Sequence, residues 1–577
     1  MNTSLRLLLE DFLGLMREEG ELDVFLTLLL SGMGHEIISR AKKGVKQYGV
    51  DVSSVGTDKA DGRTKLFLWV VKRGDIGRAE WNGSQQSIQY SLDEVVWTYL
   101  PSHISPQHAK LPKKVMVLTN GDFHPTLNLA IATTFKTLSR RHGVKFELVN
   151  GSILAGWAEE HLLDEHLLPK EARTLLRRML ANISSSETSL QPGRELVAQL
   201  TNLATTQDGS ENARKKHRLG ALRGIRTALS LARSYGLSEN NLSVAYKLAE
   251  FAVLRTWAAL HVEGKQIVYI RDELAALRIQ WAAIALEYHE RVQPYYQTQD
   301  AFASILPDSL LVANRAFEEL GRLALQTIFW GNLGAQTGLP VGENLARHSS
   351  SQLQVLLETH SCTSSPPYDR HSAVIHATLL ALMICNERET AERWLETLIV
   401  RLFHATHNKR YWPVDCTFEE ALEIREGEKD LTEESSSTST IIPVFLIWSA
   451  ALGREDFYST VRENILPTIP KWTTSNLWSS DSGYDSVVGD AKLLFEHGVA
   501  EGLLHVPKTA SEFLARLSVP LQGVEPVEQS EWYQQRIPLI PILASLHWGS
   551  QVPRMMLIEH AMALCGKSPA NYDAAAN

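Results

Sequence analysis

Asp51 stands inside the apolar stretch YGVDVSSVG, and Lys72 closes the next one, LFLWVVKRG. An ionisable side chain on a half-buried strand costs free energy unless it is paired, solvated in a cleft or bound to a metal. Side chains two apart on a strand share a face, so Lys72 lies on the face of Val70, and Asp51 on a neighbouring strand can reach the same spot. Glu36, in MGHEIISRAKKGVKQYG, offers a second carboxylate. Two carboxylates and an amine are the donor set for a hard divalent cation set against an anionic group such as a phosphate.

Positioning these groups falls to a run of alternating elements. In the segment around Glu36, Ile38, Ala41, Val45 and Tyr48 recur at three, four and three, which predicts a helix ending at Gly49. VDVSSVG reads as a short strand, TDKADGR as a turn and TKLFLWVVKRG as a longer strand. SIQYSLDEVVWTYL predicts a helix, KKVMVLTNG a strand, PTLNLAIATTFKTLSRRHG a helix closed by Gly143, VKFELVNG a strand and SILAGWAEEHLLDEHL a helix. The sum is an α/β unit. Beyond a Ser-rich, Pro-Gly stretch near 182–193, the best linker candidate, strands are scarce and amphipathic helices many, as in ERWLETLIVRLFHATH and DAKLLFEHGVAEGLL. The expected boundaries are an N-terminal helical segment over 1–30, an α/β domain over 31–180 and helical regions over 194–360 and 370–567, the last two either separate or continuous.

With HEIISRAKKGVKQYGVDV, LWVVKR, VMVLTNGDF and GVKFELVNGSIL in place, residues 30 to 165 resemble the restriction-endonuclease-like superfamily, the PD-(D/E)xK nucleases, and within it the Mrr-like branch. The resemblance implies a central mixed sheet flanked by helices, followed here by the large all-α region, and a Mg²⁺- or Mn²⁺-dependent endonuclease acting on DNA. It implies Asp51, Lys72 and Glu36 as catalytic residues, with Asp51, Glu36 and the Val71 carbonyl toward the metal. Lys72 would orient the nucleophile or neutralise the transition state. Arg73, Arg78, Gln85, Gln86, Lys113 and Lys114 would contact phosphates. Val70 departs from the pattern, since the family carries an acid or Gln two residues before the Lys; an apolar group there removes a ligand and weakens metal binding. An alternative alignment makes Asp61 the ligand. The arrangement resembles effectors of prokaryotic restriction or anti-phage defence, with a helical sensor and a partner encoded nearby or a second copy. The rival expectation is an inactive endonuclease-fold module that binds nucleic acid or protein.

Composition is compatible with this. The 577 residues carry a formal charge of −9, yet between Gly34 and Asn150 there are 17 Lys and Arg against 10 Asp and Glu, a basic region in an acidic chain. Four cysteines without CxxC spacing argue against a disulfide framework or cysteine zinc site and fit a reducing cytoplasm. The opening MNTSLRLLLEDFLGLMREEGELDVF has helical spacing but acids throughout and no secretory pattern. IIPVFLIWSAALG and AVIHATLLALMIC fall short of a membrane span. Blander readings compete: Glu36 with Arg40 is an ordinary i, i+4 pair, TNGDFHP is first of all turn chemistry, and the 14 Trp residues are core before they are a carbohydrate-binding surface. His371 with His376 and His404 with His407 lack zinc spacing or a third ligand. The basic helix ENARKKHRLGALRGIRTALSLARS, with Arg214, Lys215, Lys216, Arg218, Arg223, Arg226 and Arg233, is either a solvated face or a nucleic-acid contact.

Overall fold

The computed structural model describes residues 9–10, 13–14, 16, 18–39, 48–84, 87–161, 170–184, 186–206, 209–408, 416–429, 438–469, 478–481, 483–500, 505–517, 519 and 529–566. The chain divides into two compact units, Met1–Ala245 and Tyr246–Asn577.

The first unit is built on a five-stranded sheet in the order β1-β2-β3-β4-β5. A π-helical turn, Glu18–Leu22, leads into α1 (Asp23–Gly32), followed by β1 (Glu36–Ser39), β2 (Val52–Thr57) and β3 (Thr64–Lys72). These strands pair antiparallel. Short helices α2 (Arg78–Asn82) and α3 (Ile88–Glu94) cross to β4 (Lys113–Thr119), which runs parallel to β3. The helix α4 (Asn128–His142), closed by left-handed Gly143, returns to β5 (Lys145–Val149), parallel to β4. The unit continues with α5 (Gly151–His161), α6 (Lys170–Ala181), α7 (Ser186–Thr205) and α8 (Glu211–Ser238).

β3 is the central strand. Every residue from Lys65 to Val71 is buried, which is why LFLWVV reads as an unbroken apolar run rather than an alternation. Leu66, Leu68 and Val70 pack with Val115 and Val117 of β4 against Trp81, Ile88, Leu92 and Ile131 of the covering helices. On the opposite face Trp69 meets Trp157 of α5 edge-on, with ring centroids 6.3 Å apart.

Two expectations fail. Residues 36–39 form β1 rather than a helix, after Gly34 at φ 84°. The β-branched pair Ile37-Ile38 suits the extended edge of the sheet, where pairing with β2 overrides the helical spacing. The rest of that expected helix, 40–47, lies outside the described residues. The Ser-rich stretch taken as a linker enters α7, with Pro192 inside the helix, and the contact boundary falls instead in the first turn of α9 (Ser243–Gln266).

The second unit is helical. Its principal elements are α10 (Val268–Gln297), α11 (Ser309–Thr337), α12 (Pro340–Thr359), α13 (Ser372–Ile384), α14 (Arg388–His407), α15 (Ile441–Leu452), α16 (Leu539–Trp548) and α17 (Arg554–Leu564). Three-residue strands β6 (Trp478–Ser480) and β7 (Gly498–Ala500) pair antiparallel, so DAKLLFEHGVAEGLL is only partly helical. IIPVFLIWSAAL is buried on all sides as α15, and among the described residues no helix is long and apolar enough to cross a membrane. Trp257, Trp281 and Trp448 are fully buried, as core tryptophans should be.

Within this unit Glu319 has no exposed surface. Its carboxylate accepts from Tyr288 Oη at 2.7 Å, Tyr296 Oη at 2.6 Å and Arg322 Nη1 at 2.7 Å, and pairs with Arg315 at 2.9 Å. Burial pushes its carboxyl up, but Arg322, Arg315 and His289 outweigh that and hold it at about 2 against 4.5 when exposed. Depressed in the folded state, this group contributes stability that is complete above about pH 4.5 and lost as pH falls through about 2. Glu319→Gln leaves buried Arg322 without its closest counter-charge, Glu318 standing farther off at 3.9 Å, and is expected to destabilise the second unit by about 3–5 kcal/mol at neutral pH. In a series of thermal melts that deficit shrinks toward pH 2; a deficit independent of pH would overturn this account.

Candidate functional site

Asp51 precedes β2, and its position is fixed from both sides. The chain enters through Tyr48 at φ 51° and Gly49 at φ 78°. A Cβ on Gly49 would stand 2.2 Å from the Ser91 carbonyl oxygen, so only glycine fits. The Asp51 amide then donates to the Trp69 carbonyl at 2.9 Å, and its carboxylate Oδ2 accepts from the Val71 amide at 2.7 Å. Among the described residues its Oδ1 takes no hydrogen bond.

Lys72 is the last residue of β3, with Nζ 3.2 Å from Glu18 Oε1. Glu18 Oε2 accepts from the Arg73 amide, also at 3.2 Å. The second carboxylate beside Lys72 is therefore Glu18, from the π-helical turn ahead of α1. Asn120, at the end of β4, holds that segment: its Nδ2 donates to the carbonyls of Leu13 at 2.6 Å and Met16 at 3.2 Å, while its Oδ1 accepts from Gly74 N at 2.7 Å. The loops after β3 and β4 are packed backbone to backbone, since a Cβ on Gly121 would lie 2.5 Å from the Gly74 carbonyl carbon. TNGDFHP thus serves as a clamp on the end of β3. Beside it is an open cavity of about 390 Å³ lined by Asp122, Phe123, Pro125, Leu148, Asn150 and Ile153.

Electrostatics set Asp51 apart within the cluster. Burial pushes the Asp51 carboxyl up to about 6; the Val71 hydrogen bond and Lys72 oppose this, and the charges of Glu18 and Asp23 add to it. The site accordingly favours an added positive charge.

The remaining expected residues are placed elsewhere. Glu36 is exposed on β1 and opposite Val55. Val55 is four residues along β2 from Asp51, about 13 Å at strand spacing, so Glu36 does not join Asp51 and Lys72. Lys113 and Lys114 face Leu66 and Phe67, at the other end of β3 from Lys72. Lys114 is buried and pairs with Asp58 at 3.1 Å and Glu147 at 2.5 Å, which rules out the phosphate contact expected of it. Lys113 donates its ammonium to the Ala109 carbonyl. Asp61, the alternative ligand, is bound by Lys65 at 2.6 Å, and Lys65 also holds Asp58 at 2.7 Å. Burial raises the Asp58 carboxyl, but hydrogen bonds from Lys65, the Ala60 amide and Lys114 outweigh it and keep the group well below the usual carboxylate range. This second charged cluster fastens the β2–β3 turn. Arg73 and Arg78 are exposed, the latter opening α2. Gln85 and Gln86 lie outside the described residues. Val71 contributes its amide to Asp51, and Val70 is buried in the apolar core.

Residue reasoning missed Glu18. The signal was present in LMREEGELD, where acids interrupt an otherwise apolar helical pattern. Among the described residues no three His, Cys, Asp or Glu side chains form a group able to hold a metal. Buried His371 instead stacks on Phe317, and His376 accepts from Trp448 Nε1 at 3.2 Å. No protein-family model matches this chain, and neither a curated protein nor a solved structure does.

Because its carboxyl is raised in the folded state, Asp51 disfavours folding increasingly as pH climbs from about 4 to about 6, and fully above that. Asp51→Asn removes this and is expected to stabilise the first unit by ~1–3 kcal/mol at pH above about 7, with no gain near pH 4. Thermal unfolding in a chelator decides it: a substitution that destabilises at the higher pH contradicts the assignment.

Proposed function

We propose that the first unit is a metal-dependent nuclease that hydrolyses phosphodiester bonds, with Asp51, Glu18 and Lys72 as its working residues. The observation that carries this is their convergence: Lys72 and Glu18 at 3.2 Å, and Asp51 bonded to the residue preceding Lys72. The mixed sheet with an antiparallel β1-β2-β3 meander and parallel β4 is compatible with the nuclease-like resemblance and supports it.

The donor set suits a hydrated Mg²⁺ or Mn²⁺, which takes one or two carboxylates and completes its shell with water and phosphate oxygen. It does not suit a closed cage, given two carboxylates and Val70 where a third donor would stand. Asp51 and Glu18 would hold the ion, which would offset the cost of enclosing the Asp51 carboxylate. When bound, the metal would neutralise the phosphate and activate water for attack. Asp51 keeps its orientation through the Val71 amide. Lys72, held at the strand end by Glu18, places a cation where charge develops on the phosphate. The second, helical unit would then sense or regulate, as in an effector of restriction or anti-phage defence.

A second reading has its own support. Val70, 1% exposed in the core, leaves the site short of the usual acid, as in a module that binds nucleic acid without cutting it.

Incubation of supercoiled DNA, and of RNA, with the full chain and Mg²⁺ or Mn²⁺ tests the proposal. Nicking or cleavage is expected, falling about 100-fold or more in Asp51→Ala, Lys72→Ala and Glu18→Ala, and unchanged in Glu36→Ala. A chain that binds these substrates and cuts neither supports the second reading.

A further inference from the structure

Of the cations assigned to phosphate contact from the sequence, Lys113 and Lys114 are engaged at the far end of β3, and α8 carries a larger set. That helix holds seven Lys and Arg against one acid, Glu211, in a chain of net charge −9. Its packing sorts them. Arg218 is 6% exposed and lies with Leu222, Ile225, Leu229 and Ala232 on the buried side. Lys216, Leu219, Arg223, Arg226, Ser230 and Arg233 follow at spacings of three and four, the periodicity of one helix face. All six are exposed or half-exposed, and Lys215 borders them, exposed. This side of α8 thus brings Lys215, Lys216, Arg223, Arg226 and Arg233 to the surface. Lys216 and Arg233 are 17 positions apart, about 25 Å at 1.5 Å per residue.

Where this face ends is the second observation. Arg233 Nη2 meets Glu21 Oε1 at 3.1 Å. Glu21 lies on the same π-helical turn as Glu18, three residues beyond it, and Glu18 holds Lys72. A cationic face running into the candidate site is the arrangement that guides a polyanion to it, because neutralising phosphates releases condensed counterions.

We propose that this cationic side of α8 is the track on which the nucleic-acid backbone lies, its Arg233 end delivering the strand to Glu18, Asp51 and Lys72. The inference rests on the nuclease reading for what happens at that end, but the binding stands by itself. About 25 Å spans roughly seven base pairs of duplex. The contacts are to phosphate and carry no base preference.

The test is fluorescence anisotropy of a labelled duplex, and of a single strand of equal length, with the full chain carrying Asp51→Asn to prevent cleavage, over a salt series. Reversing two exposed charges with Lys215→Glu and Lys216→Glu is expected to weaken binding about tenfold or more at low salt and to flatten the plot of log Kd against log salt by about two. Lys215→Arg with Lys216→Arg should keep both affinity and slope, which a merely structural effect of the substitution would not require. Equal affinity and slope in the charge-reversed protein, or no binding by the parent to either probe, overturns the track. Charge-sensitive binding without cleavage by the native chain supports the track and removes the nuclease; cleavage with binding indifferent to Lys215 and Lys216 does the reverse.

Discussion

The hydrogen bond from the Val71 amide to the Asp51 carboxylate is the constraint on which the chemistry proposed for the first unit depends. It ties the entry of β2 to the exit of β3, so the acid and Lys72 arrive together although 21 positions separate them in sequence. It is also the main offset to the cost of enclosing that carboxylate. Everything that fixes the end of β3 fixes the site: the left-handed turn at Tyr48 and Gly49, the packing of Gly121 on Gly74, and Asn120.

The two ends of the β2–β3 hairpin show how differently charge can be treated in one sheet. At the turn, Asp58, Asp61, Lys65 and Lys114 are matched closely enough that Asp58 is held ionised. At the open end, Asp51 is raised, with Lys72 shared with Glu18. The matched cluster fastens structure; the mismatched one is what the proposed site is built on. In the second unit Glu319 repeats the first pattern, an acid surrounded by two arginines and two tyrosine hydroxyls.

Much of the sheet was legible. β2 to β5 and the turn at TDKADGR could be read because short β-rich runs bounded by Asp and Gly have few other solutions. Asp51 and Lys72 were legible because each violates the apolar pattern around it. Residues 36–39 were not, since Ile37 and Ile38 suit a helix face and an edge strand equally until β2 offers a partner. The acids of LMREEGELD were visible but the destination of Glu18 was not: it is set by Lys72, Arg73 and Asn120, all distant in sequence, and no local pattern encodes those contacts. Lys114 looked like a surface cation because sequence does not reveal that Asp58 and Glu147 converge on it. Pro192 marked a boundary by composition but is accommodated inside α7.

The Asn120 tether has a further consequence. One acid of the candidate centre is not carried by the sheet at all; it sits on a leading segment held by Asn120 at the carbonyls of Leu13 and Met16, by Lys72 and the Arg73 amide at Glu18, and by Arg233 at Glu21. Sheet and acid are thereby separable parts: Glu18 reaches Lys72 through contacts none of which is a rung of the strand ladder, so its segment can shift while every strand stays paired.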